Sequence, residues 1–206
     1  MALAEAVEAL LAGGTVTGDA TDERILQTAV EQFTRFGIQR TNADDIAKAA
    51  RVNRTTLYRR IGTKEQLVIA AMAYEVNRMR ADVIRESERI DDSVERLLHG
   101  FVATLQALRA NRWIQQLIRD GELEFLLDEP NTLFRVGVTM VAERITQCWS
   151  DIGHRSEADA EVIAAILVRL SQSLVVMPDA PPVLSTPAQM RDFADTYVRA
   201  LIFATG

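Results

Sequence analysis

ADDIAKAARVNRTTLYRRIGTKEQL, residues 43–67, holds two short helical patterns separated by a tight turn. Asn42 stands three residues before Asp45, a spacing that predicts a capping box and the start of a helix. Ile46, Ala47 and Ala50 then fall on its inner side. Arg51-Val52 forms the predicted turn. Asn53 is the predicted N-cap of a helix from Arg54 to Ile61, because its side-chain oxygen can accept from an otherwise unpaired backbone N–H. Gly62-Thr63 closes that helix, and Thr63 caps a long one reaching to about Arg89. With Leu57 taken as the inward direction and about 100° per residue, Ile61 shares its side. Thr55 and Arg59 point the opposite way, and Arg54, Thr56, Tyr58 and Arg60 lie on the flanks. This is the pattern of a helix-turn-helix, whose second helix enters the DNA major groove. Arg59 suits bidentate bonding to a guanine edge, and Thr55 a thymine methyl or base edge. The flanking hydroxyls and guanidiniums suit phosphate oxygens, and Lys64, at a helix start, suits one more. The candidate DNA-binding set is therefore Asn42, Arg51, Asn53, Arg54, Thr55, Thr56, Tyr58, Arg59, Arg60 and Lys64.

Charge supports this assignment despite a net charge of −6. Between Ile46 and Lys64 stand Lys48, Arg51, Arg54, Arg59, Arg60 and Lys64, with no acidic residue among them. Residues 68–206 carry 14 Arg against 20 Asp and Glu. A small basic face on an acidic body limits indiscriminate phosphate binding. N-terminal to the motif, Ile25, Ala29, Phe33 and Phe36 make one apolar stripe, predicting a helix from about Thr21 to Phe36 that Gly37 stops. Before it lies a predicted flexible extension, residues 1–20, with no basic residue to reach a minor groove.

Residues 22–67 resemble the N-terminal domain of TetR-type repressors. The resemblance rests on Ala29 and Phe33 before Phe36-Gly37, on Ile46-Ala47-x-x-Ala50, on Thr56-Leu57-Tyr58 and on Thr63-Lys64-Glu65-x-Leu67. It implies an all-α homodimer with Thr56, Tyr58 and Lys64 on the DNA backbone and Arg54, Thr55 and Arg59 near bases. It also implies a ligand cavity in the C-terminal domain. The chain departs from the family at Arg51, where Gly is usual. A different turn type and an added phosphate contact are the expected consequences. Asn53 replaces the usual Ser, Ile61 an aromatic residue, and Arg59-Arg60 a pair often aromatic or His, so base preference does not carry over.

The rest is helical by periodicity, with helices expected at about 92–109, 111–127 (interrupted near Gly121), 131–151, 157–177 and 186–204. Three domains follow: 1–20 as the extension, 21–67 for DNA binding and 68–206 for ligand binding and dimerisation. Phe101, Leu105, Trp113, Leu117, Phe125 and Phe134 are the candidate lining of a pocket for a small, largely apolar effector. The last two helices are apolar almost all round, so each must be buried twice. Ile163, Leu167, Leu170, Leu174, Phe193, Tyr197 and Leu201 are the candidate face of a homodimer built from two helices of each subunit.

The functional expectation is a repressor released from a double-stranded DNA operator by its effector. Two alternatives remain open on the residues alone, a helical enzyme with an apolar cleft and a helical protein-binding adaptor. Enzyme chemistry has little support. The chain has two histidines, His99 and His154, neither in a metal or nucleophile motif. Glu95 and His99 share a helix face but do not make a metal site by themselves, and no cofactor is implied. A lone Cys148, an N-terminus without the basic start of a secretory leader, and the absence of a long apolar run give the expectation of a cytoplasmic protein without a membrane span.

Overall fold

A computed structural model describes residues 19–122, 132–154 and 159–203. Residues 1–18 of the predicted extension 1–20 and the pocket candidate Phe125 lie outside the described residues, while Asp19 and Ala20 cap and start the first helix. Every regular element is helical: α1 (Ala20–Phe36), α2 (Ala43–Ala49), α3 (Arg54–Arg60), α4 (Lys64–Ser87), α5 (Ser93–Ala110), α6 (Arg112–Asp120), α7 (Thr132–Asp151), α8 (Ala160–Val176), α9 (Pro187–Phe193), a π-helical turn (Ala194–Val198) and α10 (Arg199–Phe203). No strand occurs among the described residues.

These residues form two compact units. One holds 19–79 with 112–122, and the other 80–111 with 132–154 and 159–203. The division runs through α4 and gives α6 to the first unit, whereas the sequence placed a boundary after residue 67 and assigned all that follows to one domain. The reason is the apolar face of α6. Trp113, Ile114 and Leu117 are buried, and Trp113 stacks on Phe33 of α1.

In the first unit, α1 begins at Asp19, whose side chain accepts from the backbone N–H groups of Thr21 and Asp22. It ends at Gly37, where φ is +82° and only glycine is unstrained. Ile25, Leu26, Ala29 and Phe33 are wholly buried. α2 packs on α1 and in turn carries α3, each such aliphatic or aromatic side chain of α1 contributing roughly 1.5–3 kcal/mol by leaving water. Glu75 is a buried carboxylate on α4, satisfied by Arg78 through two bonds of 2.9 and 2.8 Å.

In the second unit, Asp92 caps α5, and α7 lies along α8 with Gly137 facing Val168. Leu98, Leu105, Val136, Ile145, Ile163, Leu167, Val198 and Ile202 are buried. Arg109 of α5 donates to the carbonyl of Leu174 (2.8 Å) and to that of Leu184, gripping the end of α8 and the connection that follows. The last helix starts at a reciprocal cap between Thr186 and Gln189 with Pro187 in the first turn. The expected single helix over 186–204 is interrupted by the π-helical turn. There the Arg199 N–H bonds the Ala194 carbonyl, and the Arg199 guanidinium meets Glu95 (2.6 Å) and Asp195 (2.9 Å).

The candidate dimer-face residues divide between buried and open positions. Ile163, Leu167 and Leu174 are 5%, 4% and 4% exposed and belong to the core of their own unit. Leu170, Phe193 and Leu201 are half-buried, and Tyr197 is exposed. The large apolar side chains left open on α8 are Val162, Ile166 and Val176, with Met177 just beyond. α8 thus has two apolar faces, as its sequence pattern indicates, one of them buried within its own unit.

Candidate nucleic-acid interface

The site is built from local hydrogen bonds upward. Asn42 accepts from the Asp45 N–H at 2.8 Å, the N-cap that opens α2, and its side-chain amide, in place of the backbone N–H of a capping box, donates to the Asp45 carboxylate at 2.6 Å. The helix closes through paired bonds, Val52 N–H to Ala47 carbonyl (2.9 Å) and Arg51 N–H to Lys48 carbonyl (3.1 Å). This is a Schellman closure, which puts one residue in the left-handed conformation. Arg51 occupies that place, with φ +55°. The substitution at the turn therefore does not create a different turn type. Arg51 adopts the conformation that glycine adopts most cheaply and carries the strain. Arg24 of α1 donates from Nε to the Ala50 carbonyl at 2.9 Å, satisfying a carbonyl at the helix end and tying the turn to α1.

Asn53 then caps α3 by accepting from the Thr56 N–H at 2.7 Å. Leu57 and Ile61 are buried, while Thr55 and Arg59 are exposed, in agreement with the helical wheel. Tyr58 is exposed with the Arg54 guanidinium 5.3 Å from its ring centre. Arg54 also reaches Asp44 at 3.1 Å. Thr56 is half-buried. Gly62, with φ +109°, makes the bend into α4, and a Cβ there would collide with the Gln66 side chain. Gln66 accepts from the Thr63 N–H (2.8 Å) while Thr63 Oγ1 accepts from the Gln66 N–H (3.3 Å). This reciprocal cap sets the first turn of α4, where Lys64 Nζ lies 3.4 Å from the Gln39 carbonyl.

Asn42, Arg51, Asn53, Arg54, Thr55, Thr56, Tyr58, Arg59 and Lys64 are thus gathered on α2, α3, the turn between them and the first residue of α4. Arg60 departs from the reading as a free phosphate ligand. Its Nη1 is held by Asp19 (2.7 Å) and Asp22 (3.0 Å), at the start of α1. The hydrogen bond from Arg60, then those from the Thr21 and Asp22 backbone, hold the Asp19 carboxyl below the ordinary carboxylate range, and the same pairing raises Arg60. The pairing spans 41 and 38 residues of chain, so local pattern gave no sign of it. Gln66 was legible, since Thr63-x-x-Gln66 is itself a capping-box spacing.

The described candidates for the effector pocket divide between the two units. Phe101, Leu105 and Phe134 lie in the second unit, with the Arg169 guanidinium 4.7 Å from the Phe134 ring centre. Trp113 and Leu117 lie in the first unit's core. An open groove of about 590 Å³ is lined by Thr139, Ala142, Glu143, Thr146, Gln147, Ser150 and Glu161, none of them a predicted pocket residue. Among the described residues no His, Cys, Asp and Glu cluster could hold a metal ion, and no helix is long and apolar enough to cross a membrane.

Comparison with known proteins falls on the same residues. The sequence profile described as bacterial regulatory proteins, tetR family, matches residues 25–71, from the core of α1 through the start of α4. An HTH-type transcriptional regulator of Mycobacterium tuberculosis H37Rv, Rv2250c, is 27% identical over 161 residues, covering 77% of this chain and 82% of that one. Among solved structures, Thermus thermophilus FadR, a TetR-family transcriptional repressor in complex with lauroyl-CoA, is similar with a TM-score of 0.59 and 22% identity over 87% of this chain and 92% of that one. AibR, solved with isovaleryl coenzyme A and operator DNA, is similar with a TM-score of 0.51 and 22% identity over 88% and 97%. The capped pair α2–α3, its outward basic face and the profile that matches it lead to one conclusion: residues 25–71 form a helix-turn-helix domain of the tetR type of bacterial regulatory proteins, in a chain similar over most of its length to an HTH-type transcriptional regulator.

Proposed function

We propose that the chain is a homodimeric repressor that leaves its operator when a small effector with a substantial apolar part binds the second unit. The observation that carries the DNA half is the outward face of α3, where Thr55, Tyr58 and Arg59 are exposed opposite the buried pair Leu57 and Ile61. Thr55 and Arg59 read base edges. Arg54, Thr56, Tyr58 and Lys64 hold phosphates, with Asn42, Arg51 and Asn53 beside them. The likeness to a repressor solved with lauroyl-CoA and to AibR with isovaleryl coenzyme A supports an effector carrying an acyl chain. α4 has residues in both units, so a ligand that displaces its second half moves the helix that starts at Lys64.

Dimerisation is required for reading DNA on two successive major-groove faces, about 34–36 Å apart. Val162, Ile166 and Tyr197, which are 56%, 45% and 63% exposed, are the apolar surface offered to a second subunit.

A mobility shift with the duplex upstream of the chain's own gene tests the reading. Saturable binding there, reversed by titrating an acyl-CoA, is expected. By linkage the DNA must weaken the acyl-CoA by the same factor. Tight acyl-CoA binding that leaves DNA affinity untouched refutes the sensing half. No binding to any duplex refutes the DNA half.

A further inference from the structure

Arg60 is the basic residue of α3 that the DNA reading does not use. Its Nη1 donates to Asp19 Oδ2 at 2.7 Å and to Asp22 Oδ1 at 3.0 Å. Its Nε is shut away from solvent without a partner, so the guanidinium is seated in this contact and not splayed across the surface. Asp19 is fixed in turn, because its side chain also accepts from the Thr21 and Asp22 N–H groups as the N-cap of α1. The Asp22 side chain is only 16% exposed. Moving Arg60 onto a DNA phosphate would break both of these bonds.

The position of this contact on α3 gives it a function. α3 has seven residues, and its buried anchors Leu57 and Ile61 lie on one line along the helix. Two anchors on a line fix depth and tilt but restrain rotation about the helix axis poorly. Arg60 lies about 60° from Leu57 and about 100° from Ile61 around the axis and reaches back to α1, which is locked into the core by Ile25, Leu26, Ala29 and Phe33. It is a third, off-axis point of attachment. Thr55 and Arg59 are on the opposite side, where a small rotation moves a side-chain tip most.

We propose that Arg60 is a positioning residue. By bridging Asp19 and Asp22 it sets the rotation of α3, and so the aim of Thr55 and Arg59, and it governs sequence discrimination without touching DNA. This rests on the DNA-binding reading above.

The test uses the full chain and a random-sequence duplex pool. Wild type, Arg60→Gln and the double variant Asp19→Asn with Asp22→Asn are each carried through selection. Their affinities for the wild-type-selected duplex and for a mixed-sequence duplex are then measured across salt. Asn keeps the N-cap, and far-UV circular dichroism of each variant checks the helices. Both variants are expected to give flatter base preferences, with the selected-to-mixed affinity ratio reduced about tenfold. The salt slope of Arg60→Gln should stay at the wild-type value. The proposal is overturned if Arg60→Gln keeps the wild-type base preferences and instead weakens both duplexes equally, with a salt slope lower by about 0.9 per subunit, the signature of a phosphate ligand. It is equally overturned if the double variant keeps the wild-type ratio, which decides the matter should Arg60→Gln lose its helices. A wild type that enriches no motif and binds no duplex refutes the DNA-binding reading itself.

Discussion

The Phe33 ring on α1 and the Trp113 indole on α6 stack with centroids 5.6 Å apart and planes 25° from parallel. Phe33 is wholly buried and Trp113 is 2% exposed, so α6 completes the core beneath the helix-turn-helix. Trp113→Ala removes the largest side chain of that core and should cost about 3–5 kcal/mol of stability. Urea unfolding followed by circular dichroism measures it, and DNA affinity should fall with the folded fraction. A near-neutral substitution that alters only effector affinity would return Trp113 to the pocket.

How much of this was legible depends on distance along the chain. Of the stripe Ile25, Ala29, Phe33 and Phe36, the first three are buried as read and Phe36 is 45% exposed; the caps at Asn42 and Asn53 and the outward aim of Thr55 and Arg59 were legible because each rests on neighbours within a few residues. The partner of an apolar face is not a local property. Periodicity marked Trp113 as inward-facing but could not say that α1 would receive it. On α8 the apolar residues surround the helix, and the pattern could not tell Ile163 and Leu167, which turn to the core, from Val162 and Ile166, which do not. The pairing of Arg60 with Asp19 is a contact of the same kind.

Arg51 holds a left-handed backbone, φ +55°, at a cost of roughly 1–2 kcal/mol for a residue with a Cβ. Arg51→Gly relieves that strain but gives up unfolded-chain order, so a net stabilisation of about 0.5–1 kcal/mol is expected. The melting temperature should rise by a few degrees. If Arg51 also grips a phosphate, DNA affinity drops while stability rises, and the two measurements separate these roles. A lower melting temperature would show that the Arg51 side chain contributes more to the fold than its backbone costs.

The two sides of α8 give a paired prediction. Leu167 is 4% exposed, and Leu167→Glu puts a charge into the unit's own core, which should unfold it. Ile166 is open, and Ile166→Glu should leave helix content intact while shifting sedimentation from dimer to monomer. A stable dimer after Ile166→Glu moves the interface elsewhere.

Asp151 ends α7 and accepts from Ser93 Oγ (2.7 Å), Gln147 Nε2 (2.6 Å) and Arg96 Nη2 (3.2 Å). The bonds from Ser93 and Gln147, then the Arg96 charge, hold its carboxyl below the ordinary 3.8. A carboxyl lowered by folding stabilises the fold above its unfolded value, and that stabilisation is lost as pH falls through the folded value. Asp151→Asn should therefore melt earlier than wild type by a constant margin near neutrality. The margin should shrink only as the pH drops below about 4. A margin that is unchanged down to strongly acid pH would mean that the carboxylate charge contributes nothing and the variant acts through packing.

Arg59 and Lys64 separate reading from gripping. Arg59 stands on the outer side of α3, opposite Leu57, where a guanidinium can take a base edge in the groove. Lys64 is the first residue of α4, half-buried, with Nζ near the Gln39 carbonyl, and on the proposed reading it meets a phosphate oxygen. Arg59→Ala should lose about 1–3 kcal/mol of preference at one base position while the salt dependence changes little. Lys64→Ala should weaken binding by a similar factor on every sequence and reduce the salt slope by about 0.9 per subunit. The two variants must be compared on the same set of duplexes, each altered at one base pair. If Arg59→Ala preserves the ranking of those duplexes and Lys64→Ala disturbs it, the recognition helix is turned the other way from the orientation described here.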